Sequence, residues 1–510
     1  MSKARIIGKN ISFIVLSRIV SMLVSFMLFP FIIGHVGKEV YGVYLIVMSV
    51  TGYFGLLDFG VMSALTKYVS EFNGKGDVSG INKIVNASFS FYVIIGGVIS
   101  LLLFLSSVYF TRFFTVDPAN LGVMKNLLIV ASLSSIFVWP MSTFRGTIQG
   151  LNMWGADVTV NIINQVLLAL ATFFMLSRGS GIVPLFIVMQ ALAISGNIIL
   201  YWLARERTGL RILFPYTDIN TFKFIFNFSF FMFLSSLIAV FLYQVHNVII
   251  GYFISMSAVS VYAVAYNLQN YFRVINSTIG GPSWISASQM EGASDYGRQK
   301  QLLFKGTKFM SAVFLPLIII VFIFAEPFIN YWMGPSFRES ILPARIIILF
   351  WLFNGTAELA TGMLSAKAVV RQPLMILLAA AVLNVVISIS LIKVLGIIAV
   401  SIGMAFSMIF VAFPLYLRLA LKTLNVSFKE YFSKSIKVNL KLYLFAATLA
   451  TAVLIWFYPR NFFAVIFEMS VVYGVSLAIY YLKLLEPLER QEVKTALGFN
   501  SLAGVFNASK

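Results

Sequence analysis

Long apolar stretches separated by short polar segments dominate this chain. Fourteen of them contain the ~20 mainly apolar residues that a helix needs to cross a bilayer. They lie near 10–34, 40–63, 84–110, 121–144, 156–177, 182–203, 221–253, 257–281, 307–330, 341–364, 373–392, 395–417, 438–458 and 462–484. The apolar residues run continuously instead of alternating with polar ones, which favours helices over β-barrel strands. The pattern therefore predicts an all-α membrane protein with 14 transmembrane helices.

Composition leads to the same class of protein. Of the 510 residues, 60% are apolar or aromatic and only 11% are charged, whereas a soluble domain has about 25% charged residues. The chain has no cysteine and two histidines, which excludes disulfides and thiolate metal sites and argues against a multi-histidine metal centre. The low share of charged residues excludes most soluble enzymes and nucleic-acid-binding proteins.

The distribution of basic residues predicts the orientation. If the N-terminus is cytoplasmic, 28 of the 37 Lys and Arg residues fall on the inner side and 8 on the outer side, with Arg18 inside the first span. Basic residues concentrate in cytoplasmic loops, so both termini are predicted to be cytoplasmic and the number of spans to be even. The net charge of +19 is then explained by basic loops that face anionic lipid, without any nucleic acid.

An internal repeat is suggested by two similar segments. Val40-Tyr41-Gly42-Val43-Tyr44 follows the first span, and Val261-Tyr262-Ala263-Val264-Ala265 follows the seventh, 221 residues later. We therefore predict two six-helix lobes, 1–215 and 216–425, followed by two further spans and a tail in 426–510. Six spans is an even number, so both lobes enter the membrane from the same side as a parallel repeat. In transporters built this way, substrate sites lie at the repeat interface near the midplane.

The first eighty residues carry a family resemblance. They include Phe29-Pro30-Phe31-Ile32-Ile33-Gly34, Gly37-Lys38-Glu39-Val40-Tyr41-Gly42-Val43-Tyr44 and Leu57-Asp58-Phe59-Gly60-Val61. These motifs resemble the Wzx-type polysaccharide-unit flippases of the multidrug/oligosaccharidyl-lipid/polysaccharide exporter superfamily. The resemblance implies a V-shaped, MATE-like molecule with two lobes around a central cavity. It implies that a polyprenyl-diphosphate-linked oligosaccharide moves from the cytoplasmic to the outer leaflet of the bacterial inner membrane.

The same resemblance implies a place in surface polysaccharide assembly, such as O-antigen of lipopolysaccharide, capsule or exopolysaccharide. The implied partners are the lipid-linked oligosaccharide, membrane lipids, and polysaccharide polymerase and chain-length proteins. A cation-coupled multidrug antiporter and a peptidoglycan-precursor flippase of the same superfamily remain alternatives. Basic rather than acidic cavity candidates, together with the two extra spans, count against the antiporter.

Basic and amide side chains inside spans are the candidates for substrate binding, because ionisable groups at membrane depth are costly. Arg18 lies about nine residues into the first span and could bind a diphosphate through its planar fork of donors; the alternative is a structural contact with Asp58 or a helix carbonyl. Arg273 shares one helix face with Asn267, Asn270 and Asn276. A polar stripe of this kind must face protein or water, so we predict that it forms a cavity wall.

Four further residues complete the prediction. Gln244 interrupts the seventh span and is assigned to the cavity. Lys67 either receives the diphosphate at the cytoplasmic mouth or is an ordinary positive-inside lysine. His246 is the only histidine within a span and either titrates during an ion-coupled cycle or is a hydrogen-bonded packing residue. Glu358, six residues inside the end of its span, is a candidate carrier of a proton or sodium ion, or the partner of a basic residue.

Asp58 is the third candidate for ion coupling, and the alternative is that it caps the helix break at Gly60. The chain contains no phosphate-binding loop of the type G-x-x-x-x-G-K-[ST] and no HExxH or GxSxG motif, so it is predicted to be a transporter without a cofactor rather than an enzyme. Energy would come from a proton or sodium gradient or from the membrane potential. An inside-negative potential favours outward movement of an anion by ~2.3 kcal/mol per charge per 100 mV.

Overall fold

In a computed structural model the chain is almost entirely helical. The structure describes residues 3–109, 113–114, 116–216, 218–367, 369 and 371–496. The side chains of residues 3–14, of residues 492–496 and of several positions between 219 and 285 lie outside the description. Within the described ranges there is no β-strand, which confirms the predicted fold class.

The described residues include twenty α-helices. The first ten are α1 (Lys3–Val36), α2 (Lys38–Phe54), α3 (Val61–Lys75), α4 (Val78–Tyr109), α5 (Leu121–Gly150), α6 (Trp154–Ser177), α7 (Ile182–Thr208), α8 (Ile219–Tyr243), α9 (Val245–Phe253) and α10 (Met256–Gly292). The others are α11 (Tyr296–Ile323), α12 (Ala325–Met333), α13 (Ile341–Ala366), α14 (Arg371–Leu395), α15 (Ile397–Phe406), α16 (Phe413–Thr423), α17 (Phe428–Tyr431), α18 (Leu440–Trp456), α19 (Phe462–Ile479) and α20 (Pro487–Ala496). Short π-helical turns lie at Ser407–Ala412, Phe432–Ile436 and Tyr480–Leu484.

Thirteen helical segments of the described residues are long and apolar enough to cross a membrane. Each overlaps one of the predicted spans, and the predicted span 257–281 is not among them. The predicted span 257–281 lies on α10, which has 37 residues and carries the stripe of Asn and Arg side chains. The chain is thus a multi-pass membrane protein, and the count agrees closely with the predicted fourteen.

The second predicted span ends earlier than the hydrophobic pattern suggested. A 3₁₀ turn at Gly55–Asp58 follows α2, and Phe59 and Gly60 adopt positive φ angles of 48° and 78°. The chain then begins α3, whose inner face packs into a core through Leu65, Tyr68 and other residues. The segment 64–83, which lies between two predicted spans, is therefore largely helical.

The chain divides into two compact units, Met1–Asn267 with Leu377–Ser407 and Leu268–Ile376 with Met408–Lys510. These units are groups of residues in mutual contact and are not the predicted sequence repeats. The repeat boundaries at 215 and 425 therefore stay a prediction.

In the first unit, α3, α4, α5 and α7 enclose an apolar core. Tyr92 is fully buried there, as are Leu65, Val85 and Leu200. Side chains at 82, 86 and 90 form a polar ladder along α4 and hold the segment that connects α7 to α8. Asn86 Nδ2 donates to the Arg211 carbonyl at 2.9 Å, and the Leu213 N–H donates to Asn86 Oδ1 at 2.6 Å.

The two segments that the predicted repeat equates also meet in the first unit. The Ser260 hydroxyl donates to the Lys38 carbonyl at 2.6 Å, and the Ser257 N–H donates to Glu39 Oε2 at 3.1 Å. A Cβ at Gly42 would overlap the Met256 carbonyl. The start of α2 and the start of α10 are therefore in backbone contact, which only a glycine at position 42 permits.

In the second unit, α11, α13, α16 and α17 surround another core, in which Tyr431 is fully buried. Its hydroxyl donates to the Thr356 carbonyl at 2.7 Å. The helix α20 is held by an ion pair with little solvent exposure, in which Lys308 Nζ lies 2.6 Å from Glu489 Oε1. Burial opposes ionisation of Glu489, but hydrogen bonds from Lys308 and the Glu486 N–H hold its pKa below the ordinary value.

Candidate functional site

Polar residues on α10 and α13 meet within the second unit. On α10, Arg273 Nη2 donates to Asn270 Oδ1 at 2.6 Å. One turn later Asn276, only 2% exposed, donates through Nδ2 to Glu358 Oε2 at 2.8 Å. The residues lie three apart along α10 and so occupy one face. The sequence placed Asn276 on this stripe but did not connect it with Glu358.

Glu358 is a half-buried carboxylate inside a predicted span. It forms no ion pair with a Lys, Arg or His that the structure describes. Gly280, on the facing helix, makes room for it, because a Cβ there would overlap Glu358 Cγ. A carboxylate at membrane depth with a neutral amide partner is suited to take up and release a proton or a small cation.

His246 is the centre of a second polar cluster, in the first unit. It is 1% exposed, and its Nε2 lies 3.0 Å from Nδ2 of Asn384, which is fully buried. The Ser388 hydroxyl donates to Asn384 Oδ1 at 3.3 Å. The ring of Tyr262 meets that of His246 edge to face, with 5.8 Å between centroids. In this structure His246 is therefore a buried, hydrogen-bonded packing residue. Its role in ion coupling stays a prediction.

Asn384 and Ser388 were not selected from the sequence. They are four residues apart on α14, and each interrupts an otherwise apolar span. This i, i+4 spacing puts two polar groups on one helix face. It is the sequence signal that could have identified them.

Asp58 caps the start of α3. Its carboxylate accepts hydrogen bonds from the Gly60 N–H at 3.1 Å and the Met62 N–H at 3.2 Å, and also from the Tyr92 hydroxyl. Asp58 therefore caps the helix that follows Gly60, as the alternative prediction had it. Tyr92 was missed by the sequence analysis because tyrosine in a membrane helix is common as an interfacial anchor.

Three other predicted residues lie outside these clusters. Gln244 separates α8 from α9, and its carbonyl accepts from the Tyr53 hydroxyl at 3.2 Å. Lys67 is exposed on α3, with Nζ 4.6 Å from the centroid of the Tyr68 ring. Asn267 is half-buried on α10.

Arg18 is exposed on α1. The neighbouring Ser17 is buried and accepts a hydrogen bond of 3.4 Å from Asn161 on α6. One turn later, Gln165 Nε2 lies 2.5 Å from the Ser21 hydroxyl. Consecutive helix residues are ~100° apart, so Arg18 lies off the face that packs on α6. Its predicted role in diphosphate binding stays a prediction.

No cluster of three or more His, Asp or Glu residues that could hold a metal ion occurs in the part of the chain that the structure describes.

Comparison with known proteins supplies the family. The family model described as "Polysaccharide biosynthesis protein" matches residues 7–287, which is more than half of the chain. The chain belongs to the polysaccharide biosynthesis protein family. A second model, MatE, matches residues 232–390, which is less than half of the chain.

A curated relative of this family member is the lipid II flippase MurJ of Bacillus subtilis (strain 168). The two are 27% identical over 172 residues, which is 31% of this chain and 32% of the relative. The chain thus matches about a third of the length of that protein.

Solved structures share the fold. A lipid II flippase MurJ in an inward closed conformation has a TM-score of 0.68 at 16% identity, covering 92% of this chain and 98% of that one. An inward-facing multidrug resistance MATE family transporter has a TM-score of 0.66 at 14% identity, covering 80% and 94%. At these identities the likeness shows the fold alone, and it confirms the MATE-like architecture.

Proposed function

We propose that this protein moves polyprenyl-diphosphate-linked oligosaccharide units from the cytoplasmic to the outer leaflet of a bacterial inner membrane. The observation that carries the proposal is the polar line of Asn270, Arg273, Asn276 and Glu358 in a bundle of otherwise apolar spans. Membership of the polysaccharide biosynthesis protein family supports it. Neither ATP nor a cofactor enters the proposal.

The chemistry of the polar line suits the substrate. A guanidinium provides a planar fork of donors that matches phosphate oxygens, and asparagine amides can donate to and accept from sugar hydroxyls. Arg18, Asn267, Gln244 and Lys67 stay in the proposal as further substrate contacts. The substrate would then be held by charge and hydrogen bonds that partly replace the water it leaves.

We assign the coupling role to Glu358 before Asp58 and His246. Asp58 is occupied in capping α3, and His246 is bonded to Asn384. Glu358 has a single amide partner through Asn276. Protonation or binding of a sodium ion would neutralise it at little structural cost, as an ion-coupled transport cycle requires.

Flipping of a peptidoglycan precursor is a second candidate function. The partial identity to the Bacillus subtilis lipid II flippase favours it. The multidrug alternative rests on the match of the MatE model to residues 232–390, because the likeness to a solved multidrug transporter shows the fold alone.

Deletion of the gene in its own host, with complementation, tests these functions. The expected result is accumulation of lipid-linked repeat units on the cytoplasmic side together with loss of surface polymer. Lysis with accumulation of lipid-linked peptidoglycan precursor would support the second candidate instead. Unchanged polymer with new sensitivity to cationic dyes would overturn both. If the double variant Arg18→Gln/Arg273→Gln complements the deletion as well as the wild type, the two arginines do not contact the substrate.

A further inference from the structure

The segment 428–441, which enters the span of α18, has one face fixed to the second unit. The Tyr431 hydroxyl donates to the Thr356 carbonyl at 2.7 Å. Asn439 Nδ2 donates to the Lys308 carbonyl at 2.7 Å and lies 3.1 Å from the Ser311 hydroxyl. Tyr431, Ser435 and Asn439 are all buried. Because this face is bonded, the side chains of the opposite face have a defined outward direction.

The outward face combines aromatic and aliphatic side chains. Phe428 and Phe432 are 61% and 41% exposed, and their rings stack with 6.0 Å between centroids and 19° between planes. Val438 and Leu440 are exposed as well. An ordered apolar surface of this kind is costly in water and favourable at the boundary of a bilayer.

Lysines are interleaved with these apolar residues. Lys437 and Lys441 are exposed and one helical turn apart, and neither pairs with an acidic residue that the structure describes. Lys434 differs, because its Nζ lies 2.7 Å from Glu430 Oε1 and 5.0 Å from the centroid of the Phe304 ring. Glu489 is likewise paired with Lys308. The charge available on this face is therefore positive.

The segment runs obliquely and stays near one boundary of the membrane. The Asn425 carbonyl accepts from Lys300, and Asn439 binds the Lys308 carbonyl. Residues 425–439 thus advance past only the stretch 300–308 of α11, about 12 Å at 1.5 Å per residue. The apolar segment Phe428–Trp456 has 29 residues, about 43 Å of helix, whereas the hydrocarbon core is ~30 Å thick.

Trp456, 78% exposed, marks the far end of this span, because tryptophan favours the interface. About 20 residues, one bilayer thickness, lead back from it to the region of Lys437. Lys437 is thereby placed at the level of the lipid headgroups, and Lys441, one turn deeper, can reach that level with its long side chain.

We propose that this outward face of 428–441 binds an acidic phospholipid. Lys437 and Lys441 contact the phosphate of the headgroup, and Phe428 and Phe432 provide the adjoining apolar contact. The leaflet is the one that the distribution of Lys and Arg assigns to the cytoplasm. The proposal does not depend on which substrate the protein transports.

The test uses the purified full-length protein in detergent, with thermal unfolding as the readout. Short-chain phosphatidylglycerol, the matching phosphatidylcholine and inorganic phosphate are titrated separately. Phosphatidylglycerol is expected to raise the melting temperature of the wild type, while the other two do not. For K437Q/K441Q the half-effective concentration should rise roughly thirtyfold, since each lysine near an anionic surface contributes about fivefold.

The matched control is K125Q/K393Q, which removes two exposed lysines from the side predicted to be external. Its response to phosphatidylglycerol should equal that of the wild type. An equal response of the wild type to phosphatidylcholine would overturn the proposal. So would an unchanged response of K437Q/K441Q. A response to inorganic phosphate that matches the lipid would show a free-anion site instead of a lipid site.

Discussion

Asn276 on α10 donates a hydrogen bond of 2.8 Å to the carboxylate of Glu358 on α13. This pair links the polar stripe of one span to the acidic residue of another. The partner is neutral, so the carboxylate can change its protonation or bind a cation without breaking an ion pair. That property distinguishes Glu358 from Glu291 and Glu489, each of which is paired with a lysine.

Replacing Glu358 by Gln should reduce transport at least tenfold and leave the fold intact. Gln keeps an acceptor for Asn276 and nearly the same volume, so the loss of stability should stay within about 1 kcal/mol. Surface polymer and lipid-linked intermediates in complemented deletion cells measure transport, and thermal unfolding measures stability. Glu326→Gln is the control, because Glu326 is 38% exposed and pairs loosely with Arg338 at 3.6 Å. Full complementation by Glu358→Gln would exclude the coupling role.

His246→Ala should destabilise the protein by about 2–4 kcal/mol, because it leaves a cavity and removes the partner of a buried amide. The loss appears as a lower melting temperature of the purified protein. His35→Ala is the matched control. His35 is exposed, with Nδ1 2.8 Å from the Phe31 carbonyl, so its replacement should cost little. Equal melting temperatures for the two variants would argue against a packing role for His246.

Asn86→Ala should release the connection between α7 and α8. It removes two hydrogen bonds to the 211–213 backbone, each worth about 1 kcal/mol net. Local opening should therefore become roughly thirtyfold more frequent. Limited digestion with trypsin at Arg211 reports this opening as faster cleavage. Asn73→Ala, at an exposed position of α3, should be cleaved at the wild-type rate. If Asn86→Ala is also cleaved at the wild-type rate, the polar ladder does not hold the connection between α7 and α8.

Glu291 should make stability depend on pH in the acid range. Its hydrogen bonds with Lys367, at 2.7 Å, and Gln299, at 2.9 Å, hold its pKa below the ordinary value of 4.5. For a carboxyl group whose folded pKa is depressed, the stabilisation is complete above the unfolded pKa and is lost as pH falls through the folded one.

The melting temperature of the wild type should therefore exceed that of Glu291→Gln at neutral pH, and the two should converge below pH 4.5. Glu71→Gln is the comparison, because Glu71 pairs with Lys75 on the surface, at 2.6 Å. Exposed pairs contribute little, so its pH dependence should be weaker. A constant difference between wild type and Glu291→Gln down to pH 3 would refute the ion pair.

Several features of the fold could be predicted because they depend on local composition. A span needs only its own apolar residues, so the candidate spans coincide with predicted ones. The stripe of Asn270, Arg273 and Asn276 follows from helical periodicity alone. The break at Gly60 was visible from its glycine, and the capping alternative for Asp58 followed from it.

Contacts between distant helices could not be predicted in this way. Nothing local to Glu358 indicates that it meets Asn276, 82 positions away, or that Asn384 reaches His246 across 138 positions. Hydropathy also does not distinguish a polar residue bonded to another helix from one that faces water. Tyr92 illustrates this, because only packing brings it to Asp58.

The sequence by itself determined the all-helical membrane class, the approximate number and positions of the spans, and the set of polar groups inside them. These depend on the transfer of each segment into lipid, which is a property of the segment. The tertiary structure decided which polar groups become partners. As a result, Glu358 has a neutral amide partner, His246 is bonded to Asn384 and Asp58 caps a helix. The physical reason is that a polar group buried in a bundle is costly unless it has a hydrogen-bond partner.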